Sequence, residues 1–222
     1  MRALSVTNVL ILINVIAYVW EISTGINFND TRSLYDHGAL YGLAVTQRGE
    51  WWRIVTGGFL HGGFAHIALN MFALYQLGRF VESFLGPWRM LAIYAVALVG
   101  GGLAVTYFAP TDMTVGASGA IFGLFGAMLA VGLRMGKRGR PLIAQTLPIL
   151  LINLVLTLAI PFISKAGHLG GLASGFVAGL VLYAMRAQSH EPVVVDAATG
   201  EIAEAEYLAP ENDRHGATLQ RP

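Results

Sequence analysis

Six stretches of this chain are apolar over the length that a hydrocarbon core requires, and no other feature narrows its possible folds as far. With charges and prolines taken as boundaries, they run over roughly residues 6–22, 60–78, 90–108, 116–134, 141–163 and 166–186. A helix needs about 20 mostly apolar residues to cross the ~30 Å interior of a bilayer. In lipid, only helices and closed barrels satisfy every backbone N–H and C=O. The expected fold class is therefore all-α, a polytopic membrane protein with six transmembrane helices. Composition agrees: of 222 residues, 55% are hydrophobic and only 12% charged, about half the charged share of a soluble domain. No nucleic acid partner is expected. The chain has no cysteine, which excludes a disulfide framework, thiol catalysis and cysteine metal sites.

Charge divides the chain into two parts. Residues 188–222 hold seven acids, Glu191, Asp196, Glu201, Glu204, Glu206, Glu211 and Asp213, against Arg214 and Arg221. That segment is −5 within a total of +1, so residues 1–187 carry +6. The first part is expected to be the membrane domain, and the second a disordered acidic cytoplasmic tail. The first span follows Met1-Arg2 and leaves through Val19, Trp20 and Glu21 without a small-residue cleavage site, so it reads as retained. Alternate connections carry eight Lys or Arg on one side (Arg2, Arg79, Arg89, Arg134, Lys137, Arg138, Arg140, Arg186) and four on the other (Arg32, Arg48, Arg53, Lys165). Cationic loops stay inside, which puts both termini in the cytoplasm. A bacterial plasma membrane suits the compact architecture. A loop of roughly 37 residues between the first two spans carries Trp51, Trp52 and Arg53, an aromatic and charged set suited to the membrane interface.

Polar side chains inside lipid-spanning helices are costly and ask for a reason. They are Asn14, His61, His66, Asn70, Ser118, Asn153, His168 and Ser174. In the expected orientation, His61, His66, Asn70, Ser118 and His168 all fall in the first turns of spans two, four and six, at one depth near the outer side. Ser118 is a helix cap on one reading. On another it is a nucleophile at a helix N-terminus, where free N–H groups can stabilise an oxyanion. Gly119 and Gly123 form a small-residue stripe after Ser118, and Gly171, Gly175 and Gly179 form one after His168. If these faces pack together, Ser118 and His168 meet.

No carboxylate is placed to complete a triad, so the base would act in a dyad with its ring oriented by something else. Phe122, four residues after Ser118, is the candidate for stacking on His168. His66 and Asn70 share a helical face and form a donor pair of the kind that serves a developing oxyanion. A zinc site from His61, His66 and His168 is the rival, without a carboxylate or an H-E-x-x-H pattern to support it. A small transporter would use the same polar residues as a path. It is disfavoured by unbroken spans and the lack of an intramembrane charge near the cluster.

Trp52-Arg53, His61, His66-x-x-x-Asn70, Gly116-Ala-Ser118-Gly119 and His168-x-x-Gly171-x-x-x-Gly175 together resemble rhomboid family intramembrane serine proteases, in order and in span. The resemblance runs from about Trp52 to Gly179. It implies a six-helix bundle with a water-filled cavity open to the outer side. Ser118 would be the nucleophile and His168 the general base, and His66, Asn70 and the Ser118 backbone N–H would form the oxyanion hole. Gly116 and Gly119 belong to the serine motif, Phe122 stands where the family has an aromatic ring, and Trp52-Arg53 matches the interfacial loop motif. Span five and residues 161–167 would be the gate and cap. The implied substrates are membrane-spanning proteins cut near the outer boundary, with membrane lipid as the other partner. No cofactor or metal is implied. A non-proteolytic rhomboid-like binder of transmembrane segments is the alternative, in a class where the catalytic pair is typically missing. The natural substrate and the oligomeric state are not written in any motif.

Overall fold

Glycines, prolines and capping hydroxyls cut the apolar stretches into helices. The computed structural model describes the backbone of residues 5–188, 194–195 and 202–203, with side chains through residue 185. The chain runs α1 (Val6–Ser23), α2 (Thr31–Asp36), β1 (Leu40–Tyr41), α3 (Gly42–Arg48), α4 (Arg53–Thr56), α5 (Phe64–Leu85), α6 (Pro87–Phe108), β2 (Met113–Thr114), α7 (Ser118–Arg134), α8 (Arg140–Ala159) and α9 (Lys165–Gln188). Ser5 caps α1 by accepting from the Asn8 N–H, and the Ser164 hydroxyl accepts from the Gly167 N–H at the start of α9. Gly86, at φ +91°, ends α5, and Pro87 opens α6, the position where a missing N–H is harmless.

Among the described residues, four segments are long and apolar enough to cross a membrane: α1, α6, Gly136–Ala159 and Lys165–Met185. Helix α5 carries His66, Asn70, Gln76, Arg79 and Glu82. Helix α7 has only 17 residues, roughly 25 Å at 1.5 Å per residue. It can be short because it lies inside the bundle: Leu124, Ala127 and Ala130 have no exposed surface. By contrast α1 and α8 leave Leu12, Ile16, Val19, Ile152, Val155 and Leu158 outward, an apolar exterior that suits an integral, multi-pass helical membrane protein.

The boundaries correct the sequence reading in two places. The second long helix begins at Phe64 and continues to Leu85 instead of covering 60–78, because Gly63 at φ +125° breaks the chain before it. His61 therefore lies in a turn ahead of α5, not in its first turn. Helix α8 stops at Ala159, short of 163, and Ile160 is extended, as the residue before Pro161 prefers.

The core joins α5, α6 and α7 through Leu74, Met90, Ile93, Tyr94 and Leu124, all buried. Helix α9 meets α7 without intervening side chains. A Cβ added to Gly171 would stand 2.0 Å from the Gly119 carbonyl oxygen, and one on Gly175 would stand 2.2 Å from that of Gly123. Helix α1 is held at both ends by carboxylates. Glu82 accepts from the Val6 and Thr7 N–H groups at 2.8 and 2.9 Å and from the Thr7 hydroxyl at 2.6 Å. Glu21 accepts from the His61 N–H at 3.1 and 3.2 Å.

The loop after α1 is structured. Its β1 pairs antiparallel with β2, Leu40 opposite Thr114 and Tyr41 opposite Met113. The buried Arg53 side chain donates to the Tyr35 and Ala39 carbonyls and to Glu50. Its guanidinium covers the Tyr35 and Trp52 rings at 3.8 and 4.4 Å. The Arg53 hydrogen bond, first, and then that of Tyr35 hold the Glu50 carboxyl below its ordinary value of 4.5.

Residues Met1–Ala184 form one unit and Met185–Pro222 a second. In the second, Val194–Val195 and Ile202–Ala203 (β3 and β4) pair antiparallel. Otherwise the expected disordered tail, 188–222, lies outside the described residues apart from Gln188 at the end of α9.

Candidate active site

Ser118 opens α7. The cap position belongs to Ala117, which makes no capping bond, so Ser118 is the first helical residue. Its hydroxyl instead faces α9, where Nε2 of His168 lies 2.8 Å from Oγ across 50 residues of sequence. The glycine contact between α7 and α9 makes this distance possible, since any Cβ at Gly171 would push the helices apart. Phe122, one turn below Ser118, stacks on the His168 ring at 4.1 Å and 17°. The other imidazole nitrogen, Nδ1, lies 2.8 Å from Thr157 Oγ1 of α8, and that hydroxyl donates to the Asn153 carbonyl at 2.7 Å.

A second imidazole approaches from α5. The Gly62 N–H donates to Nδ1 of His66 at 3.2 Å, which makes Nδ1 an acceptor and leaves the proton of a neutral ring on Nε2. That nitrogen faces Gly116. A Cβ on Gly116 would lie 2.8 Å from His66 Nε2 and 3.8 Å from Ser118 Oγ, so the ring and the hydroxyl border the same small space. Gly116 also has φ +117°, a conformation other residues rarely adopt, and its N–H is tied to the Gly57 carbonyl at 2.8 Å. Asn70 is buried and uses one of its two amide hydrogens on the His66 carbonyl at 3.0 Å. The first helical bond of α7 runs from the Ile121 N–H to Ala117, so the Ser118 and Gly119 N–H groups are without intrahelical partners. Beside Ser118 and Gly119 lies a cavity of about 30 Å³ bordered also by Gly57, Thr114, Gly116, Ser164 and His168, room for a water or two.

Other expected residues stand further out. His61 is buried with its Nδ1–H on the Phe59 carbonyl at 3.1 Å, and its ring meets His66 edge to face at 5.2 Å. Among the described residues, no group of three His, Cys, Asp or Glu is arranged to hold a metal. Trp52 is half exposed and Arg53 buried in the loop, while Gly119, Gly171 and Gly175 serve the helix contact.

Two polar residues near the site escaped the sequence reading. Glu21 is fully buried beneath His61, although that reading found no intramembrane charge near the cluster. Its position on the last turn of an apolar stretch suggested an exit into water. Thr157 carries no spacing signal, because a threonine in an apolar helix ordinarily bonds its own backbone.

A family model described as the rhomboid domain matches residues 48–185. The chain is 40% identical over 166 residues to rhomboid protease GluP of Bacillus subtilis (strain 168), covering 74% of this chain and 32% of that protein. It is 36% identical over 148 residues to RHOMBOID-like protein 6, mitochondrial, of Arabidopsis thaliana, covering 65% and 48%. Similarity to rhomboid protease AarA of Providencia stuartii is 28% over 200 residues, covering 78% and 70%. The chain thus spans about a third to a half of the first two of these curated relatives.

Proposed function

We propose that this chain, which belongs to the rhomboid family, is an intramembrane serine endopeptidase that hydrolyses transmembrane proteins near the outer membrane boundary. One observation carries the reading: the 2.8 Å hydrogen bond between Ser118 Oγ and His168 Nε2, made inside a protein whose exterior is built for lipid. Helices α1 and α5 to α9 are the six spans, α5 crossing with Leu69, Phe72 and Tyr75 outward and Asn70 inward, and α7 crossing despite its shortness because protein covers it. Both termini face the cytoplasm, the acidic segment 188–222 is a cytoplasmic tail, and the membrane is a bacterial plasma membrane.

In this mechanism the neutral His168 ring takes the hydroxyl proton at Nε2 as Ser118 Oγ attacks the scissile carbonyl carbon. The oxygen of the tetrahedral intermediate receives the Ser118 N–H, the His66 Nε2–H and an Asn70 amide hydrogen. His168 then gives its Nε2 proton to the leaving amine, and water from the cavity repeats the cycle on the acyl-enzyme. A peptide bond in a helix is shielded by its own turn, so the substrate must unwind locally. Its freed backbone groups would be intolerable in lipid but can bond to water or to protein groups inside the site. Helix α8 and residues 161–167 are the gate and cap through which the substrate enters.

The test is cleavage of a tagged single-span substrate in proteoliposomes, with a fluorophosphonate probe for the serine. Wild type is expected to cut and to label. Ser118→Ala should label not at all, and Ser118→Ala and His168→Ala should each lose at least about 1000-fold in cleavage. A wild-type protein that binds the substrate but neither cuts nor labels is a binder of transmembrane segments, and the proposal fails.

A further inference from the structure

A serine and a histidine alone leave one requirement open, because an imidazole can accept the serine proton at Nε2 only if its own proton sits on Nδ1. Nothing in the pair enforces that tautomer. In the triad enzymes a carboxylate bonded to Nδ1 does so, and among the described residues no carboxylate bonds to His168. The Nδ1 partner is Thr157.

The direction of the bonds follows from proton counting. Thr157 Oγ1 has one hydrogen and two neighbours, the Asn153 carbonyl oxygen at 2.7 Å and His168 Nδ1 at 2.8 Å. A carbonyl oxygen can only accept, and two oxygens 2.7 Å apart with no proton between them would repel. The threonine hydrogen therefore lies on the Asn153 side, and the oxygen presents a lone pair to Nδ1. At 2.8 Å that nitrogen must be the donor. Nε2 is left bare opposite Ser118 Oγ, which is the form that a general base requires. Thr157 is buried, so water does not compete for the bond.

We infer that Thr157 is the positioning residue of the dyad, an uncharged stand-in for the triad carboxylate that fixes the tautomer and plane of His168 through the chain Asn153 C=O, Thr157 O–H, His168 Nδ1–H. The inference rests on the protease reading above and deepens it. The Nδ1 proton stays on the ring throughout. When Ser118 gives its proton to Nε2, the imidazolium carries both, and the Thr157 lone pair stabilises the charge until Nε2 passes its proton to the leaving amine. Phe122 holds one face of the ring and cannot distinguish the tautomers, so the two contacts divide the work. Because Thr157 lies on α8 and His168 on α9, the base is competent only while these helices keep their register.

The hydroxyl can be removed without changing shape by Thr157→Val and restored without the methyl by Thr157→Ser. Wild type and variants, with Thr157→Ala as a second hydroxyl-free form, are compared in proteoliposomes for kcat, KM, fluorophosphonate labelling rate of Ser118 and thermal unfolding midpoint. Val and Ala are expected to lower kcat and the labelling rate about 10- to 100-fold, the usual cost of losing an orienting partner. KM should stay within about twofold, and Ser should recover most of the rate. If a variant is destabilised, its labelling rate per folded molecule is compared at a temperature below every midpoint. Val and Ala forms that cut and label as fast as wild type overturn the inference while leaving the dyad intact. A Ser variant as slow as Val overturns it as well, since packing and not the hydroxyl would then be at work. A wild type that does not label Ser118 sinks the protease reading itself, and is told apart from the other outcomes by that control.

Discussion

Where α7 meets α9 the two backbones touch, with Gly119 against Gly171 and Gly123 against Gly175 and no side chain between. Where α1 meets α5 the helices are tied by a carboxylate instead, Glu82 accepting three hydrogen bonds from Val6 and Thr7. The two contacts tolerate error differently. A glycine contact fixes the interhelical distance by van der Waals contact between backbones, with no rotamer to absorb a misfit. A carboxylate tether fixes only the end of a helix, and its side chain can follow small shifts. Ser118 and His168 stand directly above the first kind of contact, and a site that depends on a 2.8 Å bond has reason to be there.

That contrast can be broken most severely at Gly171. Gly171→Val places its new carbons against the Gly119 backbone, which cannot give way. We expect a loss of at least about 3 kcal/mol, the upper range for overpacking, and no Ser118 labelling even in the fraction that folds. Thermal unfolding in detergent, with labelling below the midpoint, measures both. A variant that is stable and active would show the glycine contact to be dispensable.

The tether should behave otherwise. Glu82→Gln keeps the shape and one acceptor oxygen but removes the charge, and we expect about 1 kcal/mol of destabilisation. The labelling rate per folded molecule should stay within about twofold, a change of less than half a kcal/mol in the barrier. A tenfold drop in rate without loss of stability would mean that α1 positions the site after all.

The smallest effect lies in the loop, outside both contacts. Glu50 is held below its ordinary value of 4.5 by its hydrogen bond from Arg53. Its folded form therefore binds its proton less readily than the unfolded chain does. The stability it contributes is fully present above pH 4.5 and is lost as pH falls through the lower folded value. The unfolding midpoint of the wild type should drop more steeply than that of Glu50→Gln below pH 4.5. Parallel curves would remove Glu50 from the loop's account.

Much of this was legible in the chain. Glycines four apart after Ser118 and after His168 announced two faces able to touch, and their position near the starts of two helices placed both side chains at one end. Helix bounds were legible to within a few residues, except for the helix expected over 60–78, which begins after Gly63 and runs on to Leu85, and the one that ends before Pro161. Glu21 misled because it stands at the end of the first apolar stretch, where the chain was expected to leave the membrane. Its burial depends on the His61 turn folding back over α1, a contact 40 residues distant. Thr157 gave no sign because its hydrogen bond to His168 is made with another helix.

By itself, then, the amino-acid sequence determined the solvent in which this protein folds, the helical class that lipid demands and the residue types that can do chemistry there, because hydropathy and backbone satisfaction act along the chain. Only the tertiary structure decided that α7 is surrounded by protein and can be short, that Gly116 lets His66 and Ser118 border one space, and that a threonine supplies the bond to Nδ1. Those properties are distances between segments far apart in sequence, and a hydrogen bond is made or lost within a few tenths of an ångström.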